Sequence, residues 1–228
     1  MNKQKVKNIV ILGASSDIGL YVTERFLSLG FNVKAHYFNN KKKMMKISQI
    51  NKNRLDLFKF DLRNIYRWEK FLKNNKRIFL NTDMFISLTG FLEKSKFDKF
   101  DLKNFYNHLN VNYLSSIIIT RYFLPNMIKN KFGRILYTSS IGTKFGGGME
   151  TFCYSSSKFC NEFFPNYLRK LSRFNVIANT LQIGVTQTKI HNKLKNKNLK
   201  KRVKLIPIGR MAKISEVGDF IIDFVQKN

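Results

Sequence analysis

The sequence predicts an α/β fold, a doubly wound parallel sheet with helices on both faces. Two observations carry that prediction. Short apolar runs alternate with stretches of helical periodicity along the chain, the pattern of repeated strand–helix–strand units. The first unit turns on Gly13-Ala14-Ser15-Ser16-Asp17-Ile18-Gly19, a small-residue bend between a strand and a helix. The 228 residues suit one domain, 1–228: there is no Pro/Gly/Ser-rich linker, and the chain has only three prolines. A 43% apolar content is enough to bury a core.

The elements follow in order. Residues 8–12 hold four consecutive apolar side chains, as a buried strand does, and the glycine bend follows at 13–19. Ile18, Val22, Phe26 and Leu29 then repeat at helical spacing. Strands are expected at 31–37 and 55–60, a helix at 65–76 and a fourth strand at 84–88. Residues 101–130 form one long helical pattern, with Pro125 expected to kink its last turns. A fifth strand at 134–139, a helix at 151–172 and a sixth strand at 176–181 come next. The lysine-rich 189–204 stretch reads as loop or exposed helix. The closing helix, 215–225, is expected to be capped by Ser215.

Composition excludes several classes. The longest apolar runs, such as Ile9-Val10-Ile11-Leu12 and Ile117-Ile118-Ile119, fall far short of the ~18 residues of a membrane span. The first eight residues are polar and basic, unlike a signal peptide. With only Cys153 and Cys160, no disulfide framework or Cys-rich zinc site is available, and no metal is expected. A soluble cytoplasmic protein is the expectation.

The 42 Lys+Arg against 14 Asp+Glu give a net charge of +28. The distribution is uneven: no acid lies between Glu162 and Glu216, and 189–204 carries eight basic residues. Lysine, asparagine, isoleucine and phenylalanine are all abundant, so the charge reads first as compositional and solvated. An attraction for acidic or phosphorylated ligands comes second. Nonspecific nucleic-acid binding rests on the total charge alone, since no zinc-finger, aromatic RNA-binding or heptad pattern accompanies the basic runs.

Two constellations carry chemistry. In the bend, Gly13 permits a tight turn and Gly19 a close helix approach. The amides and hydroxyls of Ser15 and Ser16 are free to face a phosphate at the helix N-terminus. Further on, Tyr154 and Lys158 stand four residues apart on one helix face. A free phenol, with a pKa of ~10, is a poor acid–base group at neutral pH, and a nearby ammonium draws it toward the working range. Ser140 closes the fifth strand, where open α/β sheets place their sites.

Together these residues resemble the short-chain dehydrogenase/reductase family, single-domain type, and in particular 3-oxoacyl carrier-protein reductase-like members. Its glycine turn is matched by Leu12 to Gly19, with Leu for Thr and Asp17 for the middle Gly. Its strand-three acid is matched by Asp61-Leu62, its helix Asn by Asn112, its catalytic Ser by Ser140, and its Tyr-x3-Lys pair by Tyr154 and Lys158. A downstream segment matches Ile183-Gly184-Val185-Thr186-Gln187-Thr188, and Pro207 to Met211 with Glu216-Val217 resemble the family's closing segment. Three departures stand out. The family's Asn-Asn-Ala-Gly is Ser87-Leu88-Thr89-Gly90 here. The Ser140–Tyr154 spacing is one residue longer than usual, with Gly146-Gly147-Gly148 available to absorb it. The chain ends soon after the last helix, before the family's seventh strand.

The resemblance implies a Rossmann-like fold and an oxidoreductase that interconverts a carbonyl and a secondary alcohol by hydride transfer. Tyr154 would be the acid/base, Lys158 would lower its pKa and bind ribose, Ser140 would orient the carbonyl, and Asn112 would hold a relay water. Gly13, Ser15, Ser16, Ile18 and Gly19 would hold the cofactor's phosphates. Asp61 and Leu62 would lie near the adenine, and Thr89, Gly90, Gly184, Thr186 and Thr188 near the nicotinamide. After strand two there is no acid before Asp56, and Asn39 and Lys41 head a run of lysines; NADP(H) is therefore favoured, with NAD(H) possible. The expected partners are a small carbonyl or alcohol substrate, carrier-protein- or nucleotide-linked, and further copies of the chain in a homodimer or homotetramer. The rival reading is a nucleotide-binding regulator or scaffold that has lost turnover. Cys153, His36, His108 and His191 are expected to be structural or surface residues.

Overall fold

The computed structural model describes residues 7–190 and 196–227. Six strands, β1 (Asn8–Leu12), β2 (Asn32–Tyr37), β3 (Leu55–Lys59), β4 (Met84–Ser87), β5 (Gly133–Ser140) and β6 (Val176–Ile183), form one parallel sheet in the order β3-β2-β1-β4-β5-β6. Nine helices are described: α1 (Asp17–Ser28), α2 (Lys41–Ile50), α3 (Ile65–Asn74), α4 (Lys76–Phe79), α5 (Leu102–Leu109), α6 (Ser115–Lys129), α7 (Phe152–Leu168), α8 (Asn196–Lys204) and α9 (Ile214–Gln226).

Strand periodicity builds two cores from the same strands. Ile9, Ile11, Met84, Ile86 and Leu136 point to one face and pack with Val22 and Phe26 of α1, Met44 of α2 and Ile221 of α9. Val10, Leu12, Phe85, Ile135 and Tyr137 point to the other, against Trp68, Ile119, Phe123 and Leu168. Both faces of the central strands are buried, which is why they read as unbroken apolar runs. The sheet order reverses at β1, which lies between β2 and β4. That reversal opens a crevice at the carboxyl ends of the strands.

Three expectations need correction. The 101–130 pattern is not one helix: α5 gives way to a π-turn at Asn110–Leu114 before α6 begins, and α6 then runs on through Pro125. The wide turn loosens the helical ladder. The Val111 carbonyl is taken by the Ser115 hydroxyl at 2.9 Å, and that of Asn112 by the Asn161 amide at 2.8 Å. The 151–172 helix ends as α-helix at Leu168 and tightens to a 3-10 turn over Arg169–Phe174. The closing helix starts at Ile214, so Ser215 lies inside its first turn; the Glu216 carboxylate caps it, accepting from the Lys213 N–H at 2.7 Å.

Candidate active site

At the first crevice wall the backbone leaves β1 through Gly13, whose φ of +76° suits glycine, and whose added Cβ would lie 2.7 Å from the Leu88 backbone. Ser16 caps α1, its hydroxyl accepting from the Gly19 N–H at 3.1 Å. His36 braces the bend from β2. Its Nδ1 accepts from the Gly13 N–H at 3.2 Å, its carbonyl accepts from Ala14, and its Nε2 lies 3.0 Å from the Phe60 carbonyl. That pattern requires the neutral ring with its proton on Nε2, and burial pushes its pKa down to about 4. Asn40, with φ 60°, donates its amide to the Ser15 carbonyl at 2.9 Å. Among the described residues the N–H groups of Ser15, Asp17 and Ile18 have no acceptor, so the bend offers donors at the positive end of a twelve-residue helix. These residues fit the diphosphate of a dinucleotide. The Asp17 carboxylate at the same end accepts from the Lys189 N–H at 2.7 Å, tying the segment after β6 to the bend.

The second wall is the join of β5 and α7. Ser140 ends β5, and its hydroxyl accepts from Gly142 N–H at 3.2 Å. Tyr154 and Lys158 share one face of α7. The expectation that Lys158 draws the Tyr154 phenol down is not met here: burial pushes the phenol up to about 12, and it is the Ser140 hydroxyl that pulls the other way. Lys158 is buried with no carboxylate beside it. Its ammonium donates to the carbonyls of Thr89 at 2.8 Å and Thr138 at 3.0 Å, and burial pushes its pKa down to about 7.

Asn112 stands in the π-turn, where its amide group pairs with both backbone groups of Phe91, at 2.7 and 3.0 Å, and donates to Ser157 at 2.9 Å. Asn161, one helical turn beyond Lys158, donates to the carbonyls of Asn112 and Thr138. Glu162 accepts from the hydroxyls of Ser139 at 2.6 Å and Thr143 at 2.7 Å. Burial raises its carboxyl, but donors from Ser139, Thr143 and Gln182 together hold it below its ordinary value. Between Ser140 and Tyr154 the chain turns at the glycine run, where Gly146 and Gly147 take φ of 67° and 77°.

The remaining predicted residues line the same strand ends. Gly90 and Gly184 are exposed, and a Cβ on Gly184 would meet nothing within 4 Å. Thr89 is buried, its hydroxyl 3.2 Å from that of Ser87, which lies 2.6 Å from Ser116. Thr186 pairs with Ala212 in a short parallel bridge, and Thr188 folds back on the Thr186 carbonyl. Leu62 is buried, while Asp61 is half-buried and forked onto Arg63. Asn39 and Lys41 are exposed at the corner after β2. His36 and His108 are buried and hydrogen-bonded, Cys153 is buried, and His191 lies outside the described residues. Sequence reasoning missed Arg63, Asn161 and Glu162 as parts of the site. A polar residue three positions after Lys158, on the face α7 buries, was the available signal for Asn161.

Residues 7–199 match the family model for short chain dehydrogenases. The chain belongs to this family. The short-chain dehydrogenase chain is 25% identical over 228 residues to the 3-oxoacyl-[acyl-carrier-protein] reductase FabG of Buchnera aphidicola, covering 99% of this chain and 92% of that one. It is 26% identical over 202 residues to an L-rhamnose 1-dehydrogenase (NADP(+)) of Thermoplasma acidophilum, covering 87% and 79%. A crystal structure of a 3-oxoacyl-[acyl-carrier protein] reductase from Brucella melitensis superposes with a TM-score of 0.84 at 19% identity, covering 96% of this chain and 84% of that chain. This short-chain dehydrogenase is thus an oxidoreductase with a Rossmann-like sheet, and no described helix is long and apolar enough to cross a membrane.

Proposed function

We propose that the chain is an NADP(H)-dependent reductase, working as a single domain, that interconverts a carbonyl and a secondary alcohol with Tyr154 as acid and base. The observation that carries the reading is a buried Lys158, with no carboxylate beside it among the described residues, on the same helix face as Tyr154 and bonded to the carboxyl end of β5, which Ser140 closes. When bound, the reduced nicotinamide supplies a hydride to the carbonyl carbon. Ser140 orients the carbonyl oxygen, and Tyr154 donates its proton there. Lys158 stabilises the phenolate that remains and holds a ribose hydroxyl. The Asn112 carbonyl takes the Asn161 amide and keeps one lone pair for a relay water. The bend at Gly13, Ser15, Ser16, Ile18 and Gly19 holds the diphosphate, Asp61 and Leu62 the adenine, and Thr89, Gly90, Gly184, Thr186 and Thr188 the nicotinamide end.

A carrier- or nucleotide-linked carbonyl fits the surroundings. No acid occurs between Glu162 and Glu216, and the Arg202 guanidinium lies 3.0 Å from where a Gly148 Cβ would stand, beside the glycine run that leads to Tyr154. An anionic tail would meet cations there. A homodimer or homotetramer suits the outer face of α5 and α7, which pack together and expose Leu102, Tyr106, Phe159, Phe163 and Tyr167. A cytoplasmic location follows from the same reading.

The test is Tyr154→Phe, which removes one oxygen and keeps the ring. Reduction of a carbonyl substrate should fall by about 10²–10⁴-fold with NADPH affinity nearly intact, whereas Lys158→Met should weaken both. In the native protein, reduction should decline as pH rises past about 7, because the Lys158 ammonium that supports the phenolate is lost there. An equally fast Tyr154→Phe enzyme would overturn the mechanism. NADPH binding with no turnover on any carbonyl would favour the regulator reading, which the Ser87 and Thr89 substitutions motivate.

A further inference from the structure

We propose that Arg63 is the residue that selects the cofactor's 2′-phosphate, while Lys41, Lys42 and Lys43 contribute only diffuse attraction; this rests on the NADP(H) reading above. A dinucleotide laid across the crevice, with its diphosphate on the α1 N-terminus, places its adenosine over β2 and β3. In such sheets the ribose 2′ position is read near the end of β2, by an acid for a hydroxyl or by a nearby arginine for a phosphate. Here Tyr37-Phe38-Asn39-Asn40 holds no acid, and Asn40 anchors the corner to the Ser15 carbonyl.

The arginine comes from the loop that follows β3, the strand beside β2. The Arg63 guanidinium lies 5.3 Å from the centre of the Phe38 ring, over that same corner. Its Nε and Nη2 are fixed by Asp61, at 2.9 and 2.6 Å, and its backbone carbonyl accepts from Asn110 at 2.9 Å. Nη1 has no partner among the described residues. The guanidinium is therefore held in plane with an unused pair of donors, beside a cavity of about 350 Å³ lined by Asp61, Arg63, Asn64, Lys103 and Asn110. A planar fork set in advance loses less freedom on meeting a phosphate than a free ammonium does. Lys41, Lys42 and Lys43 are exposed on the first turn of α2, and among the described residues no side-chain hydrogen bond or ion pair fixes their ammonium groups.

The test is calorimetric titration of the native chain, Arg63→Gln, Arg63→Lys and the triple Lys41→Gln/Lys42→Gln/Lys43→Gln variant. NADPH, NADH and adenosine 2′,5′-bisphosphate are the probes. Arg63→Gln should weaken NADPH and the bisphosphate by at least about tenfold and change NADH by less than about threefold. Arg63→Lys should recover part of the loss. The triple variant should cost NADPH less than about threefold, and that cost should vanish at high salt. An unchanged NADPH/NADH ratio in Arg63→Gln, or a collapsed ratio in the triple variant, overturns the assignment. A native chain with no preference for NADPH would instead remove the cofactor reading, and the assignment with it.

Discussion

The two halves of the sheet bury their polar groups in opposite ways. On the β2–β1 side, buried His36 is neutral and fully paired, an acceptor for one backbone amide and a donor to one backbone carbonyl. On the β4–β5 side, buried Lys158 meets only neutral oxygens among the described residues, and burial brings its pKa down to about 7. The first arrangement is at ease near neutral pH and shapes a bend. The second holds a charge where burial disfavours it, a cost that folding alone would not select. The difference separates residues that build the crevice from residues that work in it.

Asn112→Ala should sharpen that contrast most. It deletes three hydrogen bonds, two of them to the Phe91 backbone, and should cost about 2–4 kcal/mol in denaturant unfolding while also impairing turnover. A loss of turnover with unchanged stability would place Asn112 wholly on the working side.

His36 should come next. Its folded pKa, about 4, lies below the ordinary 6.5, so the unfolded chain binds more protons between those values. The stability from the neutral ring is complete above about pH 6.5 and is lost as pH falls toward 4, by about 3 kcal/mol. Melting temperatures of the native chain and His36→Gln across that window should converge at low pH; parallel curves would break the comparison.

The smallest effect concerns two glycines. Gly147→Ala meets a φ of +77° and places its Cβ 2.1 Å from the Ser155 hydroxyl, so it should cost about 1–2 kcal/mol. Gly184→Ala meets open space at an ordinary φ, so it should leave the melting temperature unmoved and register only in cofactor titration. Equal melting shifts in the two variants would mean that 141–148 is not held in this turn.

Much of this was legible in the sequence because it is local. Apolar runs placed every strand to within two residues, and strand-end motifs put Ser140, Tyr154 and Lys158 along one edge of the sheet. What escaped depends on distant partners. The break at Asn110–Leu114 leaves the apolar period intact, and the partner of its Asn112 carbonyl is an amide 49 residues away. Ser215 fits the local capping preference, yet Glu216 reaches the donor first. Arg63 stands two places after Asp61, but its relation to Phe38 exists only once β2 and β3 pair.

One feature of the α7–β5 join bears on how such a protein could be altered. Three side chains of α7, Lys158, Asn161 and Glu162, grip Thr138 and Ser139 directly, and of the loop between helix and strand Thr143 joins them at the Glu162 carboxylate. The loop hangs from that clamp as an interchangeable part. With Thr143 and Gly147 kept, its other side chains are open to exchange by graft or library, so substrate choice could be rebuilt there while the phenol of Tyr154 keeps its place.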